Sequence, residues 1–353
     1  MNFCILTSSH IGAKKWIRSS LLGFFLTTTA LFLFNFIVDP YNITSYNILN
    51  ITQKLARDDR VEKVNYFATL PVFDTILIGS SRVYTIDPEG VNKYLGGTTY
   101  NFGVGTANIE DHLGILLYLK KLDKLPRRLI IGIDFYTLNP DIPPNQYFLK
   151  NRELNFLSFK PNEKTSYWSK FFTLDATRAS WKTLKNHLKN TPSVSAFDKL
   201  GWSPRFFDDS NRDIDAEKIG VLNEIDKNTN LYSNFTYASI DPKRIGYYEK
   251  IREICTAHNI QLYLFITPLH PILVEKLLRN DTKKAIAQMD AYFSTFENFH
   301  NFLFDKEFNS NLLHFQGATH TTSHAGYQII KRVLALPNKG DNPSSKAKST
   351  VSN

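Results

Sequence analysis

The chain has 353 residues, of which 42% are apolar, so it is long and apolar enough for one large α/β domain or two small ones. Its formal net charge is +9, but residues 1–18 contribute +3 and the residues after Leu336 contribute +2. The basic residues between these ends do not cluster as nucleic-acid binding requires, so we predict no nucleic-acid partner.

The first predicted element is a membrane span. Residues Ser19–Val38 form a run of 20 without a charge, which is about the length of a transmembrane helix. Basic residues precede the run and Asp39 follows it, so the positive-inside rule predicts a cytoplasmic segment 1–18 and an exported remainder, periplasmic or extracellular. A cleaved signal peptide is the alternative. The bulky residues that end the run favour an uncleaved, single-pass anchor at 19–38.

Only two cysteines occur, Cys4 before the predicted span and Cys255 after it. They are predicted on opposite sides of the membrane and therefore cannot pair. The fold does not depend on disulfides.

A polar, partly helical connector is predicted at 39–70, and an α/β domain at 71–336. Short apolar runs bounded by turn residues predict the strands Thr75–Ile78, Thr99–Phe102, Leu129–Ile133 and Leu262–Ile266, with a fifth at Phe302–Phe304. Helical patterns predict helices at Ile109–Leu122, Arg244–His258 and Pro271–Phe296. This alternation predicts a parallel sheet covered by helices on both faces.

The alternation stops at about 139–241, a stretch rich in Asn, Lys and aromatic residues with one amphipathic helix at Leu174–Leu188. We interpret this stretch as an insertion that caps the sheet edge, with a separate domain as the alternative. The low apolar content of 337–353 predicts a disordered tail.

The first strand runs into Gly79-Ser80-Ser81-Arg82. Ligands bind at the carboxyl ends of strands in open parallel sheets, so Ser81 is a candidate nucleophile whose own N–H faces a developing oxyanion. The alternative is that Ser81 caps a helix. Arg82 either steers an anionic substrate or caps the turn as a solvated side chain.

Three more strand ends carry polar candidates. Gly103 and Gly105, after the second strand, let backbone N–H groups approach a reacting carbonyl, although an ordinary β-to-α turn has the same sequence. Asp134 ends the third strand with Asn139 close behind. Asp134 can orient a base or bind a sugar hydroxyl, but when ionised it cannot donate to an oxyanion. His270, after the fourth strand, is a second imidazole, a substrate contact or a polar loop residue.

The last candidate is His320, in Gly317-Ala318-Thr319-His320. A serine hydroxyl becomes reactive when a base accepts its proton, and His320 is the candidate base for Ser81. His314 and His324 lie close in sequence, but the spacing spans a loop and includes no acidic ligand. We therefore predict no metal site and no cofactor.

Together these segments resemble the SGNH (GDSL-like) hydrolase superfamily, and most closely its membrane-anchored branch, which includes the D-alanyl transfer protein of lipoteichoic acid and the alginate O-acetyltransferases. The resemblance covers roughly residues 71–140 and 255–335. It implies a three-layer α/β/α, flavodoxin-like fold of the SGNH type. It also implies Ser81 as nucleophile, Ser81 and Gly105 (or Gly103) as oxyanion donors, and His320, followed by Gly326, as base.

Two departures from the family pattern stand out. Asp134 lies where the third block normally has Asn, and Gly317 lies where the last block normally has Asp. Without its acid, a Ser-His pair loses the group that fixes the imidazole tautomer and stabilises the imidazolium. Asp305 and Asp134 are candidates to replace it through space.

The resemblance implies an exported, membrane-anchored serine esterase or O-acyltransferase that acts on a cell-envelope glycan or lipid, with a membrane-bound acyl-transfer partner. The alternative is a catalytically degenerate envelope protein that binds glycan or a membrane partner. A nucleotide-binding flavodoxin-like protein is a third possibility, but the turn after the first strand lacks the glycines of a phosphate-binding loop.

Overall fold

The computed structural model describes residues 6–40, 48–49, 51, 59–157, 171–189, 197–202, 214–227, 236–279 and 281–335. The predicted tail at 337–353, and much of the predicted connector before Asp59, lie outside the described residues.

The strands are β1 (Thr75–Ile78), β2 (Thr99–Asn101), β3 (Arg128–Ile133), β4 (Gln261–Ile266), β5 (Asn298–Asn301), β6 (Phe315–Gln316) and β7 (His320–Thr321). The helices are α1 (Leu6–Val38), α2 (Asp59–Ala68), α3 (Pro88–Leu95), α4 (Ile109–Lys121), α5 (Gln146–Lys150), α6 (Leu174–Leu188), α7 (Ile214–Lys227), α8 (Pro242–Ala257), α9 (Pro271–Leu278), α10 (Thr282–Phe293), α11 (Lys306–Ser310) and α12 (Ser323–Leu334). One 3-10 turn, Ser81–Val83, follows β1, and another, Leu312–His314, precedes β6.

Five strands form a parallel sheet in the order β2-β1-β3-β4-β5. The chain is of the α/β class, as the alternating pattern predicted. The chain leaves β1 toward β2 on one side and reaches β3 on the other side, so the strand order reverses next to β1. In sheets of this kind the crevice at the carboxyl ends of the strands, beside such a reversal, is where ligands bind. The residues that follow β1 begin at this crevice.

Both faces of the sheet are buried. Alternate residues of a strand point to opposite faces, and in β1 Ile76 and Ile78 join one hydrophobic core while Leu77 joins another. The first core contains residues of α4, α8, α9 and α10, and the second contains residues of α3 and α12. The central strands are continuous apolar runs because neither face meets water.

Four strands match the prediction to within one residue at each end. The prediction of a fifth strand at Phe302–Phe304 was wrong, because the strand is Asn298–Asn301. The single helix predicted at Pro271–Phe296 was also wrong, because it is divided into α9 and α10. Helix α6 has the bounds that were predicted.

Two compact units are present, and α1 and α6 belong to one of them while the sheet belongs to the other. Among the described residues, one helix is long and apolar enough to cross a membrane, over Ala13–Val38 within α1. Of the predicted insertion, α6 therefore groups with α1, whereas α7 belongs to the unit of the sheet. Helix α7 buries Val221 and Ile225 in the first hydrophobic core.

Candidate active site

Ser81 is placed by the tight exit from β1. A side chain on Gly79 would have its Cβ 2.6 Å from Val83 Cγ1 and 2.9 Å from the carbonyl oxygen of Gly132, so only glycine allows the chain to turn here. Ser80 caps the 3-10 turn, because its buried hydroxyl accepts a hydrogen bond from the Arg82 N–H. The capping role weighed for Ser81 thus belongs to Ser80. The Ser81 hydroxyl is left half-buried at the sheet edge.

His320 reaches the same place from the other end of the chain. Strands β6 and β7 form a short antiparallel hairpin, with Gly317 at its turn and His320 at the start of β7. Thr322 then caps α12. The Nε2 atom of His320 lies 2.9 Å from Ser81 Oγ, which is hydrogen-bond distance for a serine and the base that activates it. The structure brings the two predicted residues together across 239 positions of sequence.

The second ring nitrogen of His320 defines its tautomer. Nδ1 lies 3.1 Å from Thr319 Oγ1. For Nε2 to accept the Ser81 proton, Nδ1 must carry the ring hydrogen, and Thr319 Oγ1 is then its acceptor. Thr319 therefore orients the imidazole as the acid of a triad does, but its hydroxyl is neutral and brings no charge to stabilise an imidazolium.

Arg82 connects the serine turn to the histidine hairpin. Its Nε donates to the carbonyl of Thr319 at 2.9 Å, and its side chain is only 10% exposed. A terminal nitrogen pairs with Asp134 Oδ2 at 2.6 Å. The alternative of a solvated arginine was wrong, because the Arg82 side chain is largely enclosed and bound to internal acceptors. Its guanidinium fixes the backbone next to His320.

Asp134 is the counter-ion at the end of β3. Besides Arg82, its carboxylate accepts hydrogen bonds from the hydroxyls of Tyr136 and Thr267, each at 2.8 Å. Burial opposes the charge on Arg82, but Asp134 keeps the pKa of that group above its ordinary value. Burial, and then Asp134, raise the pKa of Tyr136, which therefore remains a hydrogen-bond donor. Asp134 therefore balances the charge of Arg82. None of these three contacts involves the His320 ring.

The pKa of His320 is lowered to about 4 by burial first and by the positive charge of Arg82 second, with Asp134 acting in the opposite direction. The imidazole is consequently neutral at neutral pH, as a general base must be. The same environment disfavours the imidazolium that forms when the base accepts a proton.

The predicted oxyanion donors of the second strand are already engaged. The Gly103 N–H donates to Asn101 Oδ1 at 2.9 Å, and the Gly105 N–H donates to Asp59 Oδ2 at 3.0 Å. In this structure both groups therefore point at internal acceptors. Within the described part of the chain, by contrast, no hydrogen bond uses the Ser81 N–H. That N–H is the donor left for a developing oxyanion.

The other accessory candidates serve local structure. Asn139 is buried, and its side-chain oxygen accepts from the Asp141 N–H. His270 caps α9 through its ring and donates its backbone N–H to the carbonyl of Ala318. Asp305 caps α11 and binds His300 and Arg332. The described contacts of Asp305 do not involve His320, so its substitution for the missing acid stays a prediction.

Glu224 on α7 was not predicted and lies where a side chain at position 317 would project. A Cβ built on Gly317 would be 2.5 Å from Glu224 Oε2, which is closer than non-bonded atoms approach, so a side chain at position 317 would displace this carboxylate. The same oxygen accepts the Ala318 N–H at 2.8 Å. Gly317 also has φ +69°, which favours glycine. Glu224 thus fixes the turn of the histidine hairpin, 94 residues away in sequence.

No group of three His, Cys, Asp or Glu residues that could hold a metal ion occurs within the described ranges. His314 and His324, which flank His320 in sequence, have their rings 6.2 Å apart. His314 also binds the carbonyl of Phe308.

Comparison with known proteins gives no match to a family model, to a curated protein or to a solved structure.

Proposed function

We propose that this chain is an exported serine esterase or O-acyltransferase, anchored in the membrane by α1, that acts on a cell-envelope glycan or lipid. The observation that carries the proposal is the distance of 2.9 Å between Ser81 Oγ and His320 Nε2 at the carboxyl edge of a parallel sheet. We further propose the three-layer SGNH arrangement for the sheet domain. The strand order β2-β1-β3-β4-β5, which is that of flavodoxin-like sheets, supports this arrangement.

The chemistry has two halves. Ser81 Oγ attacks the acyl carbonyl carbon of the donor while its proton passes to His320 Nε2, and the Ser81 N–H donates to the carbonyl oxygen as it becomes negative. The C–O bond to the leaving alcohol then breaks, and that oxygen takes the proton from Nε2. An acyl-serine remains. Water or an acceptor hydroxyl next gives its proton to Nε2 and attacks the acyl carbon. The bond between the acyl carbon and Ser81 Oγ then breaks, and Oγ takes the proton back from Nε2.

The proposed anchor determines the orientation of the chain in the membrane and the kind of partner that it meets. Residues 1–18 lie in the cytoplasm and the sheet domain lies outside it, on the periplasmic or extracellular side. A membrane-bound partner that supplies the acyl donor fits this topology. Transfer rather than hydrolysis rests on the resemblance to the membrane-anchored SGNH branch.

A covalent probe tests the proposal. Incubated with the full chain in detergent micelles, a fluorophosphonate should label the wild type and fail to label Ser81→Ala, since the phosphorus bonds to Ser81 Oγ. Ser294→Ala is the control, because it removes an exposed serine hydroxyl at the end of α10 and leaves the turn that carries Ser81 intact. Equal labelling of wild type and Ser81→Ala contradicts the mechanism.

The alternative function, glycan or partner binding without catalysis, is favoured by one observation: Gly317 lies at the position where the family pattern has the acid of the triad. If the folded wild type is not labelled, this binding function becomes the better interpretation of the same site.

The pH dependence of labelling gives a second prediction. The pKa of about 4 for His320 predicts that the labelling rate rises with pH through about 4 and is constant above it. An ordinary histidine would give a midpoint near 6.5. The measurement is the second-order rate constant of labelling at pH values from below 4 to above 6.5, and a midpoint near 6.5 contradicts the prediction.

Circular dichroism over the same pH range is the control, because stability also changes. Below 6.5 the unfolded chain takes up a proton on His320 that the folded chain does not bind until about 4. His320 therefore makes the protein less stable as the pH falls through this window, and labelling rates are compared only where the fold persists.

A further inference from the structure

Helix α6 is fixed to the C-terminal end of α1 by one buried side chain. The amide of Asn35 donates to the carbonyl of Phe171 at 2.7 Å and to Thr177 Oγ1 at 3.0 Å. Its oxygen accepts from Ser180 Oγ at 2.9 Å. A buried amide that is satisfied in this way defines one position for its partners, so α6 has a set place along α1.

That place lies within the apolar length of α1. The ring of Phe172, just before α6, stacks on Phe32 with centroids 4.6 Å apart, and the Phe171 ring meets Phe32 edge-on at 5.9 Å. Phe32 precedes Val38, the last residue of α1, by about 9 Å at the helical rise. If α1 spans a bilayer, Phe172 lies at the depth of its outer hydrocarbon margin.

The surface of α6 that faces away from α1 carries an apolar stripe. Leu174, Trp181 and Leu188 repeat at seven-residue spacing and are 67%, 65% and 75% exposed. The buried residues of α6, which are Ala176, Ser180 and Thr183, lie more than a third of a turn around the helix from the stripe, on average. Exposed basic residues border the stripe, namely Arg178, Lys182, Lys185 and Lys189, with Asp175 as the one acidic residue of the helix.

We propose that α6 is a membrane-interface helix, which lies on the bilayer beside α1 with the stripe Leu174–Trp181–Leu188 in contact with lipid. The occupant of this surface is a phospholipid bilayer with anionic headgroups. Tryptophan is enriched at membrane interfaces, and interfacial helices bury their apolar face about 5–10 Å deep, which matches the depth of Phe172. The bordering lysines and arginine match the negative headgroups. The inference rests on the proposed membrane anchoring by α1.

Depth-dependent fluorescence quenching tests it with the full chain in vesicles of phosphatidylcholine and phosphatidylglycerol. In a Cys4→Ser/Cys255→Ala background, a single cysteine replaces Trp181 and carries an NBD fluorophore. Lys182→Cys, its neighbour on the basic side, is the matched control, and Phe25→Cys reports on α1. The quenchers are nitroxide-labelled phosphatidylcholine in the bilayer and iodide in the buffer.

The expected result is blue-shifted emission at position 181, with quenching by the lipid nitroxide several-fold greater than at position 182, and the opposite order for iodide. Leu188→Cys repeats the measurement if Trp181→Cys does not fold. Iodide quenching at 181 and 188 while position 25 is quenched by lipid overturns the inference and leaves the anchor intact. Protection from both quenchers means that protein covers the stripe, which also overturns it. No lipid quenching at position 25 refutes the anchor and the inference together, whereas the labelling of Ser81 tests the esterase separately.

Discussion

Replacing His320 by alanine is expected to lower the rate at which a fluorophosphonate labels Ser81 by about 10²–10⁴-fold, the contribution of a general base. The reason is geometric, because Nε2 lies 2.9 Å from Ser81 Oγ and is the acceptor for its proton. The measurement is the second-order rate constant of labelling at neutral pH, where the imidazole is neutral.

Two further variants make the result specific. His258→Ala removes an exposed imidazole at the end of α8 and should label at the wild-type rate. Thr319→Val removes the acceptor at Nδ1, and should slow labelling by no more than about tenfold, since a neutral hydrogen bond contributes about 1 kcal/mol. A His320→Ala variant that labels at the wild-type rate would show that another group activates Ser81.

Much of the sheet could be predicted because its central strands are buried on both faces. Ile76–Ile78 and Leu129–Ile133 are continuous apolar segments, each preceded by a polar residue, which is the pattern of buried parallel strands. The edge strand Asn298–Asn301 lacks this pattern, since two of its four residues are asparagine. Phe302, which suggested a strand, is a core residue just beyond the strand end. Helix α9 ends at Leu278 and α10 begins at Thr282. The sequence between them contains asparagine and aspartate, residue types that favour turns and caps over helix interiors.

The pairing of Ser81 with His320 could be predicted because both follow local motifs at strand ends. The groups around them could not, because they meet only in space. Glu224 comes from a helix of the insertion, and no spacing in the sequence relates it to Gly317. Likewise, nothing in the order of residues indicates that Asp59 accepts the Gly105 N–H. The family pattern has asparagine where this chain has Asp134. The structure explains the carboxylate, because it pairs with the Arg82 guanidinium.

Replacing Asp134 by alanine is expected to destabilise the sheet domain by about 3–5 kcal/mol, the cost of removing one partner of a buried ion pair. The variant leaves the guanidinium of Arg82 buried without its counter-ion and removes the acceptor of the Tyr136 and Thr267 hydroxyls. The free energy of unfolding is measured by urea denaturation of the full chain in detergent micelles, with tryptophan fluorescence as the signal.

The double variant Arg82→Gln/Asp134→Asn separates charge from shape. It removes both charges and keeps amide groups near both positions, so it should be more stable than Asp134→Asn alone, which leaves the Arg82 charge unpaired. Recovery in the double variant identifies the buried charge as the source of the loss. A loss below about 1 kcal/mol in Asp134→Ala would place the carboxylate among surface ion pairs, whose contribution is of that size. Arg82 also holds the Thr319 carbonyl, so loss of Asp134 should slow Ser81 labelling even in the molecules that remain folded.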